Sequence, residues 1–166
     1  PMRVKPLLTP DRQGKVYTDA VLELIESARD QILFQNQYIS FAGIAKGNLK
    51  TLADALCKQS REIRDCRIIL RSGGDGLMDD LRAMQLQGLD VNHCVKRLAN
   101  THTKGIIVDG RRVLIGSHNW STDGVTQNRD ASLIFDDRQI AQYFLDVFET
   151  DWKRASALKL DVIEPE

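Results

Sequence analysis

The chain has 166 residues, 42% of them hydrophobic and 28% charged, the composition of one ordinary globular domain with a real core and little room for a second. Basic and acidic residues balance at 23 each, so no global charge selects nucleic acid or an acidic membrane as partner. No apolar run reaches the length of a membrane span, and the opening PMRVKPLLTP is too polar for a signal peptide.

The expected location is therefore cytoplasmic, or peripheral at a membrane. The three cysteines, Cys57, Cys66 and Cys94, form no CxxC pair, which argues against a disulfide framework or a zinc site. Cys66 and Cys94 read as buried thiols on strands and Cys57 as a helix residue.

Residues 1–14 hold three of the four prolines and predict an extended lead-in. Residues 17–30 predict a helix, with Tyr17, Val21, Leu24, Ile25 and Ala28 on one face. A strand is expected over 31–39, a glycine-punctuated loop over 41–48, and a second helix over 49–60. A buried strand over 66–71, a turn at SGGDG (72–76), a helix over 77–87 and a strand over 89–96 follow. This β-α-β-α-β order favours parallel strands covered by helices.

The pattern then changes. GIIVDGRRVLIGS (105–117) is two β-branched runs about an Asp-Gly turn, the signal of an antiparallel hairpin. A strand over 131–135 and an amphipathic helix over 137–155 come next, and the acidic residues 157–166 read as a frayed tail. The expected fold is α/β, a mixed β-sheet flanked by helices on both faces, in one domain spanning 1–166.

The chemistry lies in one stretch. In an extended segment side chains alternate, so His102 and Lys104 point to the same side, and the hairpin returns Gly116–Asn119 beside them. A neutral imidazole is a competent nucleophile near neutral pH. Lys104 supplies positive charge for the non-bridging oxygens of a phosphodiester, and Ser117 and Asn119 supply neutral donors. Asp109 is expected to hold the hairpin turn. Asp130, just before the next strand, is placed to orient the second ring nitrogen of His102.

These residues follow the pattern HxKx4Dx6GSxN at every step. The chain thereby resembles the phospholipase D superfamily. The β-α-β-α-β segment before the motif, the NWS after it, NRDASLIF and the closing aromatic helix also look like that family. The resemblance implies that His102 is a covalent nucleophile forming a phosphohistidine, that Lys104 and Asn119 bind phosphate with Ser117 beside them, and that Asp130 pairs with the nucleophile. It implies metal-independent chemistry, with no cofactor.

Other residues read differently. His93 and His118 are expected to be structural, and Trp120 and Trp152 to belong to the core. Gln35, Gln37 and Tyr38 are polar for a central strand and mark either an exposed strand end or the lining of a pocket. Arg61, Arg64, Arg67 and Arg71 form one basic cluster, and Lys96, Arg97, Lys104, Arg111 and Arg112 another around the motif.

Displacement at phosphorus also requires an acid for the leaving oxygen, and a single histidine cannot be nucleophile and acid in one step. This chain has one HxK. The second is expected either from another copy across a twofold axis, as in single-motif nucleases, or from sequence outside this chain, which then resembles the C-terminal half of two-motif bacterial enzymes. Phospholipid hydrolysis or headgroup transfer is the first expectation. A homodimeric endonuclease acting on DNA or RNA, and a non-catalytic binding or scaffold module, are the alternatives.

Overall fold

A computed structural model of the chain describes residues 2–73 and 76–161. Its elements in order are β1 (Arg3–Leu8), α1 (Lys15–Glu26), β2 (Gln31–Asn36), α2 (Asn48–Glu62), β3 (Asp65–Arg71), α3 (Leu77–Leu86), α4 (Val91–Cys94), β4 (Val95–Leu98), β5 (Gly105–Val108), β6 (Arg112–Gly116), α5 (Thr122–Thr126), β7 (Ala131–Asp136), α6 (Arg138–Arg154) and β8 (Ser156–Ala157). The strands form one sheet in the order β1-β7-β6-β5-β2-β3-β4-β8. β2, β3 and β4 run parallel and every other pairing is antiparallel, so the sheet is mixed as expected.

Strand alternation sorts the core into two faces. Ile32, Phe34, Ile68, Leu70, Ile106, Val108 and Leu114 pack with residues of α1, α2 and α3. Leu33, Ile69, Ile107 and Val113 face the other way, beneath Phe148, Phe144 and Trp152 of α6. Burial on both sides explains why β2 reads as a near-continuous apolar run.

Four expectations are corrected. The lead-in is a strand: β1 pairs with β7 over its whole length, and Pro6 is tolerated because β1 is an edge strand. Helix α1 ends four residues early, because the amides of Arg29, Asp30 and Gln31 turn to the Asp109 carboxylate instead of continuing the helix. Residues 89–96 are not one strand. Asp90 caps the short helix α4, bonding the His93 amide, and β4 starts only at Val95, so Cys94 and His93 lie off the sheet. The tail is held at its start. β8 pairs with β4, Leu158 and Leu160 are buried, and the Asn92 amide bonds Leu160 through both of its groups. Residues 162–166 of that tail, and Gly74 and Asp75 of the SGGDG turn, lie outside the described residues.

The topology gathers the motif. β5 and β7 start, and β1, β2, β3 and β6 end, at the same edge of the sheet. Residues 9, 37, 71, 102–104, 117–119 and 130 therefore share one rim.

Candidate active site

The hairpin turn is as the Asp-Gly signal predicts. Asp109 and Gly110 both have positive φ, 52° and 56°, and the Arg111 amide donates to the Val108 carbonyl at 3.0 Å. Asp109 lies away from the motif's other polar groups. Its carboxylate accepts the amides of Arg29, Asp30 and Gln31 at 2.9–3.0 Å, clamping the hairpin to the α1–β2 junction.

At the opposite end of the hairpin, the Gly116 amide donates to the Lys104 carbonyl at 3.1 Å, which brings the two halves of the motif together. Gly116 is needed for this closeness: a Cβ there would collide with Ser132 Oγ and the Ala131 carbonyl of β7. His102 is exposed and Lys104 is buried. Lys104 Nζ lies 3.0 Å from His102 Nδ1 and 3.2 Å from Nε2, near-equal distances that put the ammonium over the ring rather than along either lone pair. It donates to the His102 carbonyl at 2.8 Å and to Gln37 Oε1 at 3.3 Å, leaving one donor for an incoming anion. Burial pushes the Lys104 pKa below its ordinary value, partly offset by the nearby Asp130 carboxylate.

Ser117 and Asp130 form a pair of their own. Ser117 Oγ donates to Asp130 Oδ1 at 2.6 Å and accepts the Ala131 amide at 3.1 Å. The expected pairing of Asp130 with His102 is not found: among the described residues no hydrogen bond joins them, because the short aspartate side chain is taken by Ser117. Asn119 Oδ1 is buried with no hydrogen-bond partner among the described residues.

His118 supports this turn from beneath. It is buried, stacks on Tyr17 at 4.0 Å between centroids, and has both nitrogens bonded. Thr9 Oγ1 donates to the Asn128 carbonyl at 2.6 Å, so it accepts from His118 Nε2–H at 3.1 Å. Nδ1 is then the acceptor for Ser132 Oγ at 2.7 Å. The network fixes a neutral tautomer, and burial pushes the pKa of His118 down.

Sequence reasoning missed Thr9, which lies on no recognisable motif and reaches the site only through the β1–β7 pairing. Gln37 and Tyr38 line a cavity of about 430 Å³ beside Lys104, whereas Gln35 is buried against Thr101 and Asp151. Trp120 is core, edge-on to Phe34, and Trp152 stacks on Phe148 beneath Lys96.

A family model described as "Cardiolipin synthase, PLD-like domain" matches residues 21–152. The chain belongs to the phospholipase D-like family. Among curated relatives, a mitochondrial cardiolipin hydrolase of Canis lupus familiaris is 30% identical over 99 residues, covering 60% of this chain and 37% of that protein. A 5'-3' exonuclease of Mus musculus, PLD4, is 24% identical over 145 residues, covering 80% of this chain and 29% of that protein. This phospholipase D-like chain thus spans well under half the length of those relatives. Among solved structures, Nuc of Salmonella typhimurium, a phospholipase D family member, superposes with a TM-score of 0.72 at 22% identity, over 96% of this chain and 100% of that one. The shared architecture is the mixed sheet with helices on both faces.

Proposed function

We propose that this chain supplies one half of a phosphodiesterase active site, with His102 as the nucleophile. The observation that carries the reading is the exposed His102 imidazole held against the buried Lys104 ammonium, on the rim where Ser117, Asn119 and Asp130 converge. In the first step a His102 nitrogen attacks phosphorus, the phosphorus–oxygen bond to the leaving group breaks, and an acid protonates the departing oxygen. In the second, water displaces the imidazole from phosphorus, giving up a proton to the base that the acid has become. Lys104 and Asn119 hold the non-bridging oxygens through both steps. Ser117 and Asp130 keep the turn that presents Asn119 in place.

The acid–base group is a second histidine, supplied by another copy of the chain or by the rest of a longer protein. Phospholipid is the favoured substrate, supported by the cardiolipin-acting family description and relative. A nuclease is the second reading, supported by a match that runs the whole length of Nuc.

The test is hydrolysis of mixed micelles of phospholipid, and separately of single-stranded DNA, by wild type and by His102→Ala. The variant is expected to keep its circular dichroism and lose about 10³-fold or more in rate. An acid-labile phosphoryl adduct is expected on the wild-type chain alone. Unchanged turnover in His102→Ala removes the assignment.

A further inference from the structure

The basic residues of the two clusters are not equivalent. Arg61 donates to the Gln87 carbonyl, Arg64 pairs with Asp30, and Arg67 is held between Asp65 and Glu149. Lys96 lies over Trp152, Arg111 pairs with Asp136, and Arg112 bonds Ser27. Arg71 ends β3 at the rim, is half-buried, and its guanidinium has neither an ion-pair nor a hydrogen-bond partner among the described residues; Arg97 of β4, whose buried Nε is also unpartnered, does not line the cavity that Arg71 faces.

Arg71 lines the cavity of about 430 Å³ whose wall also includes Gln37, Tyr38, Ser40 and Asp80. Asp80 makes no ion pair with Arg71 among the described residues; one of its carboxylate oxygens accepts the Phe41 and Ala42 amides at 2.6 and 2.7 Å. The cavity opens at the carboxyl ends of the parallel strands β2 and β3, where ligands of open α/β sheets bind. It shares a wall with the reaction site: Gln37 Oε1 is the acceptor for Lys104 Nζ. The charge of Arg71 is felt at Lys104, whose proton affinity it lowers.

A half-buried guanidinium with no protein partner, lining a cavity beside a phosphate-binding lysine, is placed to bind an anion. We propose that Arg71, with Gln37 and the Tyr38 and Ser40 hydroxyls, forms a second anion subsite beside the reaction site. It takes a neighbouring phosphate of a substrate that carries at least two. The inference rests on the phosphodiesterase reading above and narrows it to polyanionic phosphodiesters. A bis-phosphate lipid and a polynucleotide share this chemistry.

The experiment compares wild type with Arg71→Gln and Arg71→Lys on two ligand pairs. One is thymidylyl-thymidine with and without a 5'-phosphate, titrated by calorimetry. The other is phosphatidylcholine vesicles carrying cardiolipin or phosphatidylglycerol, read by co-sedimentation. In at least one pair the two-phosphate ligand is expected to bind wild type about tenfold or more tightly than its one-phosphate counterpart. The pair that shows the preference identifies the source of the phosphate. Arg71→Gln abolishes the preference, Arg71→Lys retains part of it, and hydrolysis of bis(4-nitrophenyl) phosphate is unchanged in both.

Three results overturn the subsite: no preference in wild type with either pair, a preference that survives Arg71→Gln, or equal weakening of one- and two-phosphate ligands. Failure of the underlying reading looks different. Wild type then hydrolyses none of these substrates while the binding preference stands.

Discussion

His118 occupies the variable position of the motif, between Ser117 and Asn119, yet it is the most enclosed of the three. Its neutral tautomer is fixed by Thr9 and Ser132, and its ring by Tyr17. Burial dominates its shift, and the Asp130 and Asp11 carboxylates oppose it only in part. The folded pKa is below the unfolded one, so the unfolded chain binds the proton first as pH falls. Stability is full above the unfolded value of about 6.5 and declines below it until the folded pKa is passed. His93 works in the opposite sense, since Asp90 raises its pKa, but it is exposed and present in any His118 variant. His118→Gln is therefore expected to be less stable at pH 7 and to show a flatter loss from pH 6.5 to about pH 5, read from urea midpoints across pH. An unchanged acid slope contradicts this account. The sequence announced His102, Lys104, Ser117 and Asn119 by type and spacing. It could not announce that Asp130 serves Ser117, because that depends on the length of one side chain across a turn.

Elements were legible where one periodicity ran unbroken, as in α2, α6 and the β5–β6 hairpin. They were misread where a local polar bond overrode propensity. Asp90 turned an apolar stretch into a helical cap, and Asp109 cut α1 short from a distance in sequence that no window spans. β1 escaped notice because an edge strand needs apolar residues on one face at most, and Pro6 hid it. The Asp109 clamp is the sharpest case of an element joined by one side chain. Removing it leaves three amides without their acceptor and frees the hairpin from the α1–β2 junction. Asp109→Ala is expected to cost about 2–3 kcal/mol in chemical denaturation. Asp109→Asn, with one acceptor oxygen left, is expected to lose less. Equal stability of Asp109→Ala and wild type removes the clamp.

For the molecule as a whole, the sheet places the His102 imidazole, the Lys104 ammonium and Asn119 on one rim, and the proposed reaction takes its acid from a second histidine beyond them. Among the described residues no helix is long and apolar enough to cross a membrane. If a second copy completes the site, specific activity rises with protein concentration and tracks the dimer fraction in sedimentation. Mixing wild type with excess His102→Ala then lowers activity below the wild-type share, because mixed dimers are inactive. Activity proportional to monomer at every dilution contradicts completion by self-association. The mixed sheet, the two-faced core and the shared rim were all implied by element order and turn chemistry. The cavity at Arg71 was not, since it arises from where β2 and β3 stop relative to each other.

One bond described above joins distant parts of this architecture. The Gln35 amide donates at once to Thr101, beside His102, and to Asp151, near the end of α6. The loop that carries His102 is thus not an independent flap. Opening it breaks a bond to the same side-chain amide that holds Asp151 of α6, so loop and helix share one anchor on the sheet. For the proposed reaction, such a loop presents His102 pre-positioned, and substrate capture costs little ordering of the backbone.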